Sequence, residues 1–564
     1  MKKSLIVFML VAVSVAYADD SKLSPDLKNY SGTSARVVVQ YKTAPSPLDL
    51  KTLTGLLGSI ISSLPLVNAV VADLPVSNLL SLSNQSNVAY ISLDRAMKPS
   101  LSNGAPAVNA FTAWQSGYTG SGIGVAVIDS GISSHPDLNG GLLGLSRVVY
   151  SQSFVPGTLS AADQYGHGTH IAGLIAGNGA SSKGVKYSKT FMGIAPGANL
   201  INLRVLDQNG SGSDSAVIAA ISQAIQLKPL FNIRVINLSL GRPVYESYTV
   251  DPVCKAVEAA WRSGIVVVVA AGNNGRYLPT NGYATITSPA NDPYVITVGA
   301  MKPEGTPTRA DDLIASYSSK GPTGIDHIVK PDLVAPGNLL VSLEAPGATL
   351  YSQYPANRVP YSYYMTGGSN SPSASYFSLS GTSMAAGVVS GAVADLLQKS
   401  PLLTPDQVKA RLMKTAWKSL PASSSVIDPA TGITYTSQYD MFTVGAGYLD
   451  LEGALNSTEV ATRSAMSPTA VYDPNTDNVF LFSNPSAVWN TSSMWSTSAV
   501  WGNSQFVPTT SNSGTNAMWG SNAMWGSDTS SGFSTIWADN AMWGTNAMWG
   551  SNAMWGSSVD GGEK

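Results

Sequence analysis

Cys254 is the only cysteine in the 564-residue chain, so no internal disulfide can form. Its setting, "DPVCKAVEAA", reads as the start of an amphipathic helix, which predicts a packed thiol rather than a nucleophile. Charge is scarce too: 12% of residues are charged, the net charge is −2, and no block of Lys or Arg occurs. That balance excludes nucleic acid as a partner, because phosphate binding needs clustered cations. With four histidines and no HExxH pattern, there is little from which to build a zinc site. Long apolar runs are also missing. "IVVVVAA" at 265–271 has the length of a buried strand, and the run from Leu5 to Ala16 is too short to span a membrane. Two lysines ahead of that run, with Ala16 and Ala18 after it, make residues 1–18 an expected secretory signal cut after Ala18. The expected location is secreted or extracellular.

What is present is ordered along the chain. In residues 19–103, "RVVVQYKT", "LVNAVVADLP" and "NVAYISLDR" read as strands and "PLDLKTLTGLLGSII" as a helix. "MKPSLSNGAPAV" follows as an exposed connector. Residues 104–455 repeat strand then helix. "GVAVID", "ANLINLRVL", "RVINLSL", "IVVVVAA" and "YVITVGA" are the strands, with "SDSAVIAAISQAI" and "VCKAVEAAWRS" among the helices. Continuous apolar strands alternating with helices predict an α/β fold with a mainly parallel sheet covered on both faces. Ligands of such sheets bind beyond the carboxyl ends of the strands. Residues 456–488 are polar and mixed, an expected linker, and residues 489–564 carry a tryptophan-rich repeat.

Polar residues stand at strand ends and helix starts of the sheet domain. "GVAVIDSG" puts Asp129 at a strand end, "YGHGTHIAGLIAG" puts His167 at a helix start, and "LSGTSMAAGVV" puts Ser383 at another. "VVVVAAGNNG" puts Asn273 just past a strand. A serine becomes a nucleophile when a base takes its proton, and a neutral imidazole is that base near neutral pH. A carboxylate fixes the imidazole tautomer and stabilises the imidazolium. The attacked carbonyl develops negative charge, for which the Ser383 N–H and the Asn273 amide are candidate donors. Each residue alone has a plainer reading: Asp129 as a turn cap, His167 as a packed histidine, Ser383 as a helix cap. Asp137 and Asp163 rival Asp129, but neither ends an apolar strand. His170, three residues after His167, invites a metal reading, but the spacing of the other ligands is lacking.

"VIDSG", "GHGTH" and "GTSMA" in that order, with "AAGN" between the last two, resemble the subtilisin-like serine proteases, the subtilases. "HPDL" at 135–138, "GIAPGA" at 193–198, "SYSSKGP" at 316–322 and "KPDLVAPG" at 330–337 agree with that family's framework. The resemblance implies a subtilisin-like three-layer α/β fold, with Asp129, His167 and Ser383 as the triad and Asn273 as oxyanion donor. "NGSGS" at 209–213 and "SLG" at 239–241 resemble the family's two substrate-flanking segments. Ser211, Gly212, Ser239, Leu240 and Gly241 are thereby implied substrate contacts. Residues 19–103 resemble the family's propeptide, a small α+β, ferredoxin-like domain that assists folding and inhibits the enzyme. Protein or peptide substrates and the chain's own propeptide are the implied partners, and self-cleavage is expected between about Lys98 and Val108.

Three departures stand out. Gly387 follows "GTSMAA" where relatives commonly have proline, which predicts altered packing behind the serine. "NGASSKGVKYSKTF" at 178–191 occupies the place of a calcium loop in some relatives but holds no acidic residue. The resemblance therefore allows calcium without assigning it a site, and no cofactor is required. Thr287, beside "SPAND" at 288–292, stands where relatives have glycine, which predicts a smaller specificity pocket.

Nine tryptophans, at 489, 495, 501, 519, 525, 537, 543, 549 and 555, are separated by multiples of six, with Val507, Ser513 and Ser531 at the vacant points. Six helical residues turn about 600°, which scatters successive tryptophans, whereas an even period in a strand keeps them on one face about 20 Å apart. A plain low-complexity tail and a module for surface anchoring, carbohydrate contact or self-association both fit this pattern. The alternative function is a non-enzymatic adhesion or matrix protein carried by the repeat.

Overall fold

The computed structural model describes residues 20–99, 107–140, 144–304, 308–428, 431–473, 478–490, 500, 516–517 and 563. The expected secretory signal and most of the tryptophan repeat lie outside the described residues. The chain divides into two compact units, Met1–Asp94 and Arg95–Lys564.

In the first unit β1 (Ser34–Tyr41), β2 (Ser59–Leu64), β3 (Ala69–Pro75) and β4 (Val88–Leu93) form an antiparallel sheet in the order β2-β3-β1-β4. Alternation puts Val37 and Val39 of β1 with Val70, Ala72 and Leu74 of β3 in one core, under Leu53, Leu79 and Leu82 from helices. The helix expected over "PLDLKTLTGLLGSII" is shorter than its pattern. It covers Pro47–Gly55, capped by Ser46, whose Oγ accepts the Asp49 N–H while Asp49 accepts the Ser46 N–H. Leu57 then adopts φ 60°, a left-handed conformation that cannot continue a helix, and "SII" enters β2 instead.

The second unit contains β5 (Ala96–Pro99), β6 (Gly124–Asp129), β7 (Val148–Ser153), β8 (Asn199–Arg204), β9 (Gly212–Ser213), β10 (Ile233–Leu238), β11 (Leu240–Gly241), β12 (Val266–Ala270), β13 (Ile296–Lys302), β14 (Leu313–Ile314) and β15 (Leu333–Pro336). Its central sheet runs β14-β13-β12-β10-β6-β8-β7, with β15 also on β13. Every pairing is parallel except β13 with β14. Every residue of β6 and β12 is buried, as strands covered on both faces must be. Helices Asp214–Phe231 and Pro252–Arg262 pack on each other and on the sheet; helix Thr382–Lys399 packs on the sheet and on helix His167–Ala176. β6 lies between β8 and β10, so the strand order turns back at its carboxyl end, where α/β sheets place their ligands.

The segment expected to be a linker, residues 456–488, is packed instead. Thr469–Asp473 and Asn478–Phe482 pair as an antiparallel hairpin. Ala461, Ala465, Ala470, Leu481, Ala487 and Val488 are buried in one cluster with Val329, Met413 and Phe442. Small side chains set among polar ones give a weak sequence signal, yet they fit shallow grooves closely. Cys254 is buried in helix Pro252–Arg262, and burial together with Asp251 and Asp292 pushes its thiol well above the ordinary range.

Candidate active site

Asp129, the last residue of β6, and His167, the first residue of its helix, are both fully buried, and His167 Nδ1 lies 2.8 Å from Asp129 Oδ1. The Ser130 N–H also donates to that oxygen at 2.7 Å. Asp163, a rival of Asp129 in the sequence, organises the loop before His167. Its Oδ1 accepts the Tyr165 and Gly166 N–H groups and the Ser130 hydroxyl, and its Oδ2 accepts the N–H and hydroxyl of Thr169. Gly168 brings this helix onto the strand end: a Cβ there would stand 2.2 Å from the Gly131 carbonyl oxygen. His170 faces away from the reaction. Its Nε2 lies 3.0 Å from the Leu340 carbonyl oxygen and 3.2 Å from that of Phe377, and burial lowers its pKa to about 3.

Ser383 is the second residue of helix Thr382–Lys399, so its N–H belongs to the first turn, where amides lack intrahelical partners. Its Oγ donates to the Ser239 carbonyl at 3.1 Å, and the Ser239 hydroxyl donates back to the Ser383 carbonyl at 2.9 Å. Asn273 follows β12. Its Oδ1 accepts the Thr382 N–H at 3.1 Å and the Thr382 hydroxyl at 2.9 Å. With the oxygen so engaged by two donors, the amide NH₂ is the half that can donate to another group. Sequence reasoning passed over Thr382, although a threonine directly before Ser383 at a helix start was visible in "GTSMA".

The expected substrate-flanking segments contribute the two outer strands of a three-stranded sheet, with β5 between them. β5 pairs antiparallel with β9, Ala96 opposite Ser213 and Met97 opposite Gly212, and with β11, Lys98 opposite Gly241 and Pro99 opposite Leu240. Ser211 does not join that ladder; its N–H donates to Asp207 Oδ1 at 2.9 Å and shapes the turn before β9. Thr287 sits behind β11. A Cβ on Gly241 would come within 2.6 Å of Thr287 Oγ1, and one on Gly272 within 2.9 Å of Thr287 Cγ2. The loop at 178–191 offers no carboxylate to a calcium ion, which binds six to eight oxygens. The neighbouring Asp137 already accepts the Ser181 N–H and the Tyr376 hydroxyl, so these residues do not fit that site.

Residues 120–448 match the family model described as "Subtilase family". The chain is 38% identical over 354 residues to "Serine protease AprX" of Bacillus subtilis, covering 61% of this chain and 73% of that protein. It is 34% identical over 424 residues to Subtilisin E of the same organism, covering 73% of this chain and 94% of the relative. Among solved structures, fervidolysin from Fervidobacterium pennivorans superposes with a TM-score of 0.56 at 22% identity. That match covers 76% of this chain and 62% of fervidolysin, and it speaks to the fold.

Proposed function

The chain belongs to the subtilase family, and on that premise we propose that it is a secreted serine endopeptidase that cuts itself out of an inhibited precursor. The observation that carries the reading is the 2.8 Å contact of His167 with Asp129 at the carboxyl end of β6, and it is supported by Ser383 Oγ bonding to Ser239 just past β10 and by Asn273 just past β12. Substrate lies as an added strand between β9 and β11, the place β5 takes in the precursor. His167 Nε2 accepts the Ser383 proton as Oγ bonds to the scissile carbonyl carbon, and Asp129 steadies the imidazolium. The oxygen of the tetrahedral intermediate is met by the Ser383 N–H and the Asn273 NH₂. His167 returns the proton to the leaving amine as the C–N bond breaks, which leaves an acyl ester on Ser383. Water, deprotonated by His167, then releases the acid and restores the hydroxyl. Ser211, Gly212, Ser239, Leu240 and Gly241 line the path of the peptide, and Thr287 narrows the pocket behind β11. The apolar run within residues 1–18 directs export, and the tryptophan repeat fastens the enzyme to a surface, a glycan or another copy of itself.

An active-serine phosphonylating reagent tests the reading. It should label the mature protein at Ser383 alone, and Ser383→Ala, made in a host lacking related proteases, should accumulate uncut precursor. An unlabelled mature protein, or normal trimming of Ser383→Ala, would sink the proposal. In the same preparation, peptides ending in Ala, Leu or Phe before the cut read the effect of Thr287 on specificity.

A further inference from the structure

β5, the strand between β9 and β11, is preceded by a buried cation. The Arg95 carbonyl accepts the Asp214 N–H at 2.8 Å, which carries the β5–β9 pairing one residue further. Both terminal nitrogens of its guanidinium donate to the Glu246 carboxylate. One of them lies 3.8 Å from Asp214 Oδ2, and the group sits 4.9 Å above the ring of Tyr245. The Arg95 side chain is only 5% exposed.

The wall that receives it is short of positive charge. Arg242 binds Asp214 and Asp251, each at 2.9 Å, and its guanidinium is 3.8 Å from Glu246. Asp214, Glu246 and Asp251 are thus three buried carboxylates served by one guanidinium, and Arg95 supplies the second. Buried carboxylates need close partners, and among the described residues the Glu246 carboxylate without Arg95 keeps only the distant Arg242. Asp214 directly follows β9, Arg242 directly follows β11, and Glu246 lies four residues later, so the wall adjoins the two strands that flank β5.

We propose that Asp214, Glu246 and Tyr245 form a substrate subsite for a basic side chain, which Arg95 fills in the precursor. The β5 register gives its position. Pro99 lies opposite Leu240, and the next step reaches Ser239, whose carbonyl receives the Ser383 hydroxyl. In a peptide that binds in the register of β5, the residue one step beyond the Pro99 position is the one whose carbonyl is attacked, and the Arg95 position is the sixth on the amino side of the scissile bond. Two-pronged donation to Glu246 and the tyrosine face below select arginine over lysine.

The subsite rests on the peptidase reading, and its test separates the two. N-acetylated octapeptides are offered to the mature enzyme: Arg-Ala-Met-Lys-Pro-Ser-Leu-Ser, the chain's own sequence from Arg95 to Ser102, the same peptide with Gln first, and a third with Lys first. Cleavage after the sixth residue should favour arginine by about tenfold or more in kcat/KM, chiefly through KM, with lysine between. Glu246→Gln should bring that ratio toward unity. Equal hydrolysis of the Arg and Gln peptides by the unmodified enzyme overturns the subsite while leaving peptide hydrolysis standing. Should none of the peptides be cut, calorimetry of the Arg and Gln hexapeptides ending at Ser reads the pocket without turnover. Binding about tenfold tighter for arginine upholds the subsite, and equal binding rejects it.

Discussion

Asn273 can stabilise an oxyanion only if its amide is turned the right way round. Thr382 enforces that orientation by giving both its N–H and its hydroxyl to Asn273 Oδ1. Thr382→Val keeps the backbone donor and the side-chain shape but removes the hydroxyl. The amide then gains freedom to rotate, and kcat for a short peptide should fall about tenfold, the worth of one hydrogen bond to an oriented group, with KM within about twofold. An unchanged kcat would mean that the backbone N–H alone orients Asn273. The difference between these two residues also marks what a sequence can reveal of a site. Asp129, His167, Asn273 and Ser383 interrupt apolar or small-residue patterns at element ends, so as a set they stand out in the sequence, although each alone has a plainer reading. Thr382 and Asp163 look like ordinary turn and cap residues, and their roles emerge only with their partners. Arg95 and Glu246 are 151 positions apart, and no local pattern joins them.

The helix that carries Ser383 also carries two oddities at the scale of the element. At Gly387 an added Cβ would find Leu174 at 3.5 Å and Ile171 at 3.6 Å, ordinary contacts, so the glycine answers no steric need of the fold. Asp395, two turns further on, is buried with neither carboxylate oxygen hydrogen-bonded among the described residues. Burial raises its pKa from 3.8 to about 9. The folded state therefore binds a proton there that the unfolded chain releases, and stability falls as pH rises across the window between those two values. Asp395→Asn should abolish this slope. At pH 8 it should stabilise the protein by on the order of 1 kcal/mol or more, and near pH 4 by almost nothing, as read from thermal melts of the inactive Ser383→Ala protein. Equal shifts at both pH values would show that the charge of Asp395 is met by some other group. At this scale the central strands were legible because continuous apolar runs admit few other readings. β2 was not, because its residues are mostly exposed and continue a helical pattern. Nor was the hairpin in residues 456–488, whose burial depends on grooves formed by residues far away in the chain.

The few described residues of the tail are held by the second unit. Trp489, the first tryptophan of the lattice, is buried and donates through Nε1 to the Met466 carbonyl at 2.7 Å, and Val500 lies in the same core. The backbone of Asn516–Ala517, the start of an "NAMWG" phrase, adds as a third strand to Asn478–Phe482. Beyond the last tryptophan, Glu563 is buried against the α/β body. Its carboxylate accepts from Arg276 at 2.9 Å and from the Ser316 N–H at 2.9 Å, while its backbone exchanges hydrogen bonds with the Asn338 side chain. Asn338 in turn accepts the Ser380 hydroxyl at 3.1 Å, three residues before Ser383. The chain between Trp489 and Glu563 thus has both of its ends fixed on the second unit. Closure costs chain entropy that grows slowly with loop length, so a single buried ion pair with several hydrogen bonds is enough to hold the far end. Glu563→Ala leaves Arg276 and Asn338 without these partners. In Ser383→Ala protein, where self-digestion is absent, this change should make chymotrypsin cut the repeat about tenfold faster at low protease concentration, because local opening then sets the rate. The core should melt within a few degrees of the parent, since the Trp489 and Val500 contacts are untouched. Identical cutting rates in the two proteins would show that the Glu563 contacts do not protect this part of the chain.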